Sequence, residues 1–244
     1  MMSLSKQQLL EIWEDGRNQH PVDQALTLLS FTSPDQARNE LAELSIGQRD
    51  IRLLALHERM FGETLYCDGA CPDCKQAVDI CFTTKDIQAP STVLEPHETE
   101  LTWDDFKITY RLPNSWDLAV IANSTNEESA RQLLIERCLV KISRKGAPIA
   151  ANELSELAIL KMEQAIAKSD PQAEILLDMN CPECNTQWQL LFDIVTYLWT
   201  EITVKAKRIL EDVHTLAKTY GWTETSILEL SDVRRQIYLE MASS

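Results

Sequence analysis

The residues of this chain best suited to chemistry are two cysteine pairs, CPDC at Cys71–Cys74 and CPEC at Cys181–Cys184, 110 positions apart. Two residues between cysteines let one tight turn aim both sulfurs at the same ion. The proline shapes that turn through its fixed φ and removes a competing backbone donor. A single pair of this kind is weak evidence; two matching pairs admit three readings. Both pairs grip one metal ion, each does redox chemistry alone, or they persist as relics of a duplication. Four thiolates are the closed tetrahedral shell of structural zinc, so Cys71, Cys74, Cys181 and Cys184 are expected to hold one zinc ion. The competing expectations are empty or oxidised knuckles kept for packing, and a dithiol redox protein. A thioredoxin-like pair sits at a helix start that lowers a thiol pKa, whereas these pairs lie between strand-like segments. Many knuckles place glycine after the second cysteine, where the backbone turns left-handed. Lys75 and Asn185 stand there instead, and Asn tolerates that conformation better than Lys.

The flanks extend the match beyond the cysteines. Apolar residues alternate at Leu65 and Cys67 and again at Val78, Ile80 and Phe82, and the second copy repeats this at Ile175, Leu177, Trp188, Leu190 and Phe192. A constant offset of 110 also aligns Asp68 with Asp178 and Phe82 with Phe192. Period-two alternation marks half-buried strands, which predicts two β-hairpins, each with a CPxC at its tip. Cys67 and Cys81 read as small core residues, Cys67 also as a substitute ligand if the turn is wider, and Cys138 as part of a buried helix face.

Other elements must position these hairpins. The first sixty residues read as three helices: one capped by Ser5 with Gln8 returning the capping box and stopped near Gly16, one opened by Pro21, and one running through Ile51 and Leu54 to Phe61 and closed by Gly62. Between the hairpins, a proline-bearing linker at 88–98 leads to a strand with Phe106, Ile108, Tyr110 and Leu112 on one face, then a turn and a helix. Helices follow at about 127–139 and 152–168, separated by SRKGAP. A long helix carrying Leu198, Ile202, Ile209, Val213, Leu216 and Ala217 ends at Gly221, and two short helices capped by Thr223 and Ser231 finish the chain. The expected fold is α+β and helix-rich, with a zinc-ribbon-like unit, an inserted α+β lobe and helical ends. Its expected divisions are an N-terminal helical segment at 1–62, hairpins at 63–87 and 171–194, the lobe at 88–170, and a C-terminal helical segment at 195–244.

Composition narrows the function. A net charge of −15 argues against a binder of nucleic acid or of anionic membranes, because phosphates are held by clustered Lys and Arg. The acidic flanks Asp68, Asp73, Asp79, Asp178, Glu183 and Asp193 weigh against a zinc-ribbon nucleic-acid-binding regulator, the main competing class. No run approaches the roughly 18 apolar residues of a membrane span, and the N-terminus has no basic start or small-residue cleavage site. The cytoplasm is therefore expected, where thiols stay reduced. HExxH, GxSxG and phosphate-loop motifs are absent from the sequence, so no enzymatic activity is expected. His20, His57, His97 and His214 are isolated, and His214 reads as a core or interface hydrogen-bonder on the long helix.

Several stretches together resemble a known family: ALTLL at 25–29, IGQRDIRLLALHERMFG at 46–62, the two cysteine hairpins, PQAEILLDMNCPEC at 171–184, LWTEI at 198–202, and VHTLAKTYGWTETSILELSDVRRQIYLEM at 213–241. The chain is similar to cytosolic proteins encoded with phage-tail-like contractile injection systems, themselves similar to baseplate hub assembly chaperones of contractile-tailed phages. The resemblance implies a non-enzymatic assembly or structural role with baseplate, hub or tail proteins as partners, in the bacterial producing cell or retained in the particle. It also implies a docking element at 220–241 using Trp222, Leu228, Arg234, Arg235 and Tyr238.

Overall fold

The computed structural model describes residues 4–89 and 98–242, so the expected linker lies, but for its ends, outside the described residues, as does His97. Four helices precede the first hairpin: α1 (Lys6–Gly16), α2 (Pro21–Thr32), α3 (Arg38–Glu43) and α4 (Ile46–Phe61). The Ser5 hydroxyl accepts from the Gln8 amide at 3.1 Å and the Gln8 side chain accepts from the Ser5 amide at 2.9 Å, the expected reciprocal cap. Gly62 leaves α4 with φ 99°, a conformation that glycine adopts without the Cβ penalty. The unexpected element is α3. Six residues are too few to be stable alone; burial of Leu41 and Ala42 at 0% exposure holds them in place.

The first hairpin is β1 (Thr64–Ala70) with β2 (Ala77–Thr83), followed by the short α5 (Thr84–Ile87). The intervening lobe contains β3 (Thr99–Trp103), β4 (Phe106–Tyr110), α6 (Ser115–Ile121), α7 (Glu127–Cys138), β5 (Leu139–Arg144), β6 (Ala147–Pro148) and α8 (Glu156–Ser169). The second hairpin is β7 (Ile175–Asn180) with β8 (Gln187–Phe192), and α9 (Ile194–Tyr220), α10 (Glu224–Leu228) and α11 (Asp232–Ala242) complete the chain. The result is a helix-rich α+β architecture with small antiparallel sheets.

The lobe is richer in strands than its sequence suggested. Its antiparallel sheet runs β3-β4-β5-β6, and the stretch expected to separate two helices instead supplies β5 and β6. Lys145 and Gly146, at φ 50° and 84°, make the two-residue turn between them, the positive-φ pair that suits strand twist. Phe106, Ile108, Tyr110, Ile135, Cys138, Ile142, Ala158, Ile159 and Met162 form its buried apolar cluster. Fully buried Asp117 adds a polar centre, accepting from Arg111 Nη1 and Nη2 at 2.5 and 2.8 Å and from Arg137 Nε at 2.7 Å.

A second, larger cluster unites the ends of the chain. Leu26, Leu28, Leu29, Leu53 and Leu54 of the N-terminal helices pack with Leu198 and Ile202 of α9, and Leu65, Ile175 and Phe192 join them from the bases of both hairpins. Packing of the N-terminal helices against α9 therefore fixes where both hairpins start. The hairpin registers match under the 110 offset: Leu65 pairs with Phe82 as Ile175 pairs with Phe192.

Candidate metal centre

Each cysteine loop is built the same way. The Cys71 amide donates to the Gln76 carbonyl at 2.9 Å and the Lys75 amide to the Cys71 carbonyl at 3.1 Å; Cys181 with Thr186 and Asn185 with Cys181 repeat both bonds at 2.9 Å. Lys75 and Asn185 lie at φ 63° and 59°, so both adopt the left-handed turn that glycine would fill elsewhere. Lys75 holds this conformation with its ammonium on the Pro72 carbonyl at 2.7 Å.

The two tips meet. Cys71 Sγ lies 3.5 Å from Cys184 Sγ and Cys74 Sγ 3.5 Å from Cys181 Sγ, and all four sulfurs fall within 4.8 Å of one another. A tetrahedral zinc–thiolate shell with bonds of about 2.3 Å has sulfur–sulfur edges of about 3.8 Å, inside this range. The thiols are free, with Cys71 and Cys181 buried and Cys74 and Cys184 exposed. The donor set can hold one tetrahedral metal ion.

Neighbouring groups polarise the cluster. Hydrogen bonding with the Thr186 side chain, whose Oγ1 lies 3.3 Å from the Cys184 sulfur, and with the Thr186 backbone leads in pulling the Cys184 thiol down to about 6. At Cys74 a hydrogen bond from the Gln76 amide lowers the pKa, but contact with Cys181, burial and the other two thiols outweigh it and push the thiol up to about 12. The Thr186 hydroxyl also donates to Asp73 Oδ2 at 2.6 Å, a latch between the two loops. Its single proton serves either Asp73 or the Cys184 thiolate. Thr186 aligns with Gln76 under the 110 offset, so the repeat gave no sign of the latch.

The remaining thiols divide. Cys67 is half-buried against the main core, and burial raises its pKa. Cys138 is fully buried and burial pushes it up to about 12. Cys81 is exposed, contrary to expectation: it pairs with Tyr66 on the outer face, one residue out of phase with Ile80 and Phe82. His214 is likewise exposed on α9, because the buried stripe runs through Ile209 and Leu216. Among the described residues the buried histidine is instead His57, whose Nε2 lies 2.6 Å from Glu201 Oε2 beside Tyr197.

Of the tail residues singled out from sequence, Trp222 and Tyr238 contact each other, while the others engage different partners or solvent. Trp222 stacks on Tyr220 at 4.7 Å and meets Tyr238 edge-on at 4.8 Å. Arg235 pairs with Asp212 at 3.0 Å and Asp232 at 3.1 Å. Leu228 packs on the cluster formed by α1 and α9, and Arg234 is exposed. No helix among the described residues is long and apolar enough to cross a membrane.

Fold and site together define a helix-rich α+β protein whose distant hairpins bring four thiols into one cluster. The sequence profile described as T4 bacteriophage base plate protein matches residues 4–199, and the chain belongs to that family. The match takes in both cysteine loops and the lobe, and stops within α9. No curated protein and no solved structure matches the chain. Family membership supports a baseplate-related structural or assembly role.

Proposed function

We propose that this chain is a non-enzymatic assembly factor or adaptor of a contractile, phage-tail-like baseplate, stapled by one structural zinc ion on Cys71, Cys74, Cys181 and Cys184. The carrying observation is the convergence of four thiols from loops 110 residues apart in a chain of the base plate family. Zinc is the metal of choice because four thiolates are soft, tetrahedral donors and close the shell against substrate. In this reading the ion joins the hairpin tips, so the intervening lobe becomes a rigid attachment rather than a loose loop. The protein acts in the cytoplasm of the producing bacterial cell, holds baseplate, hub or tail proteins, and can stay in the finished particle.

Metal analysis of native protein, paired with affinity capture from cells making the particle, tests this reading. One zinc per chain with a baseplate or hub protein bound is the expected result. Metal-free protein with alkylatable CxxC thiols, or capture without any baseplate protein, contradicts it. A second reading, a dithiol redox protein, requires an exposed reactive cysteine, and Cys184 is exposed beside three other free thiols. Thiol titration with and without a chelator separates the two, since zinc-bound thiols react only after chelation.

A further inference from the structure

Helix α11 contains no buried residue, although it carries an apolar stripe. Val233, Ile237 and Met241 recur every fourth position and are 70%, 44% and 62% exposed. They stand about 6 Å apart along the axis at 1.5 Å per residue, the spacing of a ridge that packs against another helix. Beside the first two of them lies a groove of about 510 Å³ between α11 and α9.

The charges of the groove are unequally satisfied. Its two carboxylates are occupied: Asp212 pairs with Arg235, and Asp232 with Arg235 and Lys6. Lys205 attracts Asp232 at longer range, yet neither Lys205 nor Arg208 forms an ion pair among the described residues. Arg235 is 12% exposed, and its buried Nη1 has no hydrogen-bond partner among the described residues. A buried donor left in this state is destabilising until an acceptor reaches it. A chain of net charge −15 thus presents, in one groove of mixed polar and apolar lining, two cations without an ion pair among the described residues and one unmet guanidinium donor.

We propose that this groove docks an amphipathic helix of a partner protein, with apolar residues against Val233 and Ile237 and acidic residues facing Lys205 and Arg208. Helix-in-groove recognition combines these elements. A side chain can reach the recessed Arg235 Nη1, whereas a bilayer surface cannot. The surface names the partner chemistry of the proposed adaptor and rests on that reading for the partner's identity. It lies beyond the matched residues 4–199.

The test places the photo-cross-linker p-benzoylphenylalanine at Val233 of the tagged full-length chain, in cells producing the particle. Expected is a cross-link to an amphipathic helical segment with acidic flanks in another protein. Lys205→Glu with Arg208→Glu should lower its yield at least tenfold, while Lys205→Arg with Arg208→Lys keeps it within twofold. A cross-link to a second copy of the chain, to lipid, or to a segment without acidic flanks overturns the proposal. So does an unchanged yield in the Glu variants. Absence of a cross-link while a baseplate protein still co-purifies overturns the groove but leaves the adaptor reading standing; absence of both overturns both.

Discussion

In the clasp formed by the two hairpins, few side chains are buried: β2 buries none, β1 only Leu65, β7 Ile175 and Met179, and β8 only Phe192. In the lobe, sheet and helices enclose nine buried residues around Phe106, Ile108 and Met162, with Asp117 neutralised by two arginines. The lobe therefore draws its order from apolar burial, which acts over a whole surface. The tips of the clasp draw theirs from four sulfur atoms and the Thr186–Asp73 latch. Two-stranded hairpins are marginal in water without such help. One chain thus contains a region whose folding depends on local chemistry and another whose folding depends on packing.

The widest separation between them comes from removing the buried ligands. Cys71→Ser with Cys181→Ser should abolish metal binding, an interaction on the order of 10 kcal/mol in small zinc-folded domains. Hydrogen exchange should then show loss of protection at 64–83 and 175–192 and retained protection at 106–110.

The reciprocal experiment is Asp117→Asn, which leaves two arginines facing a neutral side chain. We expect a loss of about 3 kcal/mol, the low end for a broken buried pair, read by urea unfolding with metal content unchanged. Burial raises the Asp117 pKa, but the hydrogen bonds from Arg111, the Asn114 amide and Arg137 outweigh it and hold the carboxyl below its usual range. Its stabilisation is present above the unfolded value of about 4 and is lost as pH falls through the lower folded value.

Asp50 behaves oppositely where clasp, lobe and helices join. Burial pushes it up to about 6 despite Arg49, with Asp170 and Asp193 adding repulsion. Its contribution is full below pH about 4 and is lost as pH rises through about 6. Asp50→Asn should flatten stability between those values, and at pH 7 it should lower stability rather than raise it, because the buried Arg49 2.7 Å away is left without its charged partner, measured by thermal unfolding across pH.

Much of this was legible in residue order, for identifiable reasons. Capping residues Ser5 and Gln8, Pro21, Gly62 and Gly221 act within a few positions, and the period-two flanks of the cysteines report which face is buried. Helix α3 was illegible because burial of Leu41 and Ala42, not propensity, holds its six residues. Strand β5 was hidden because Leu139 follows Cys138 with no breaker between helix and strand. Cys81 was misassigned although parity with Ile80 and Phe82 already faced it outward. In the tail, spacing alone did not tell that Trp222 and Tyr238 face each other while Val233 and Ile237 face solvent.

The smallest expected effect sharpens the comparison of the two loops. Lys75→Gly relieves a left-handed backbone at a lysine and should stabilise the first loop by about 1 kcal/mol. Asn185→Gly should gain less, because Asn tolerates that conformation. Thermal unfolding of the metal-loaded variants reads both.

The central claim is that two half-sites 110 residues apart form one metal centre within one chain. Native mass spectrometry of the purified protein tests it directly. The account predicts a monomer carrying one zinc ion, with Cys71, Cys74, Cys181 and Cys184 protected from alkylation until a chelator is added. Zinc found only in dimers, or metal-free chains whose four thiols alkylate at once, would contradict it.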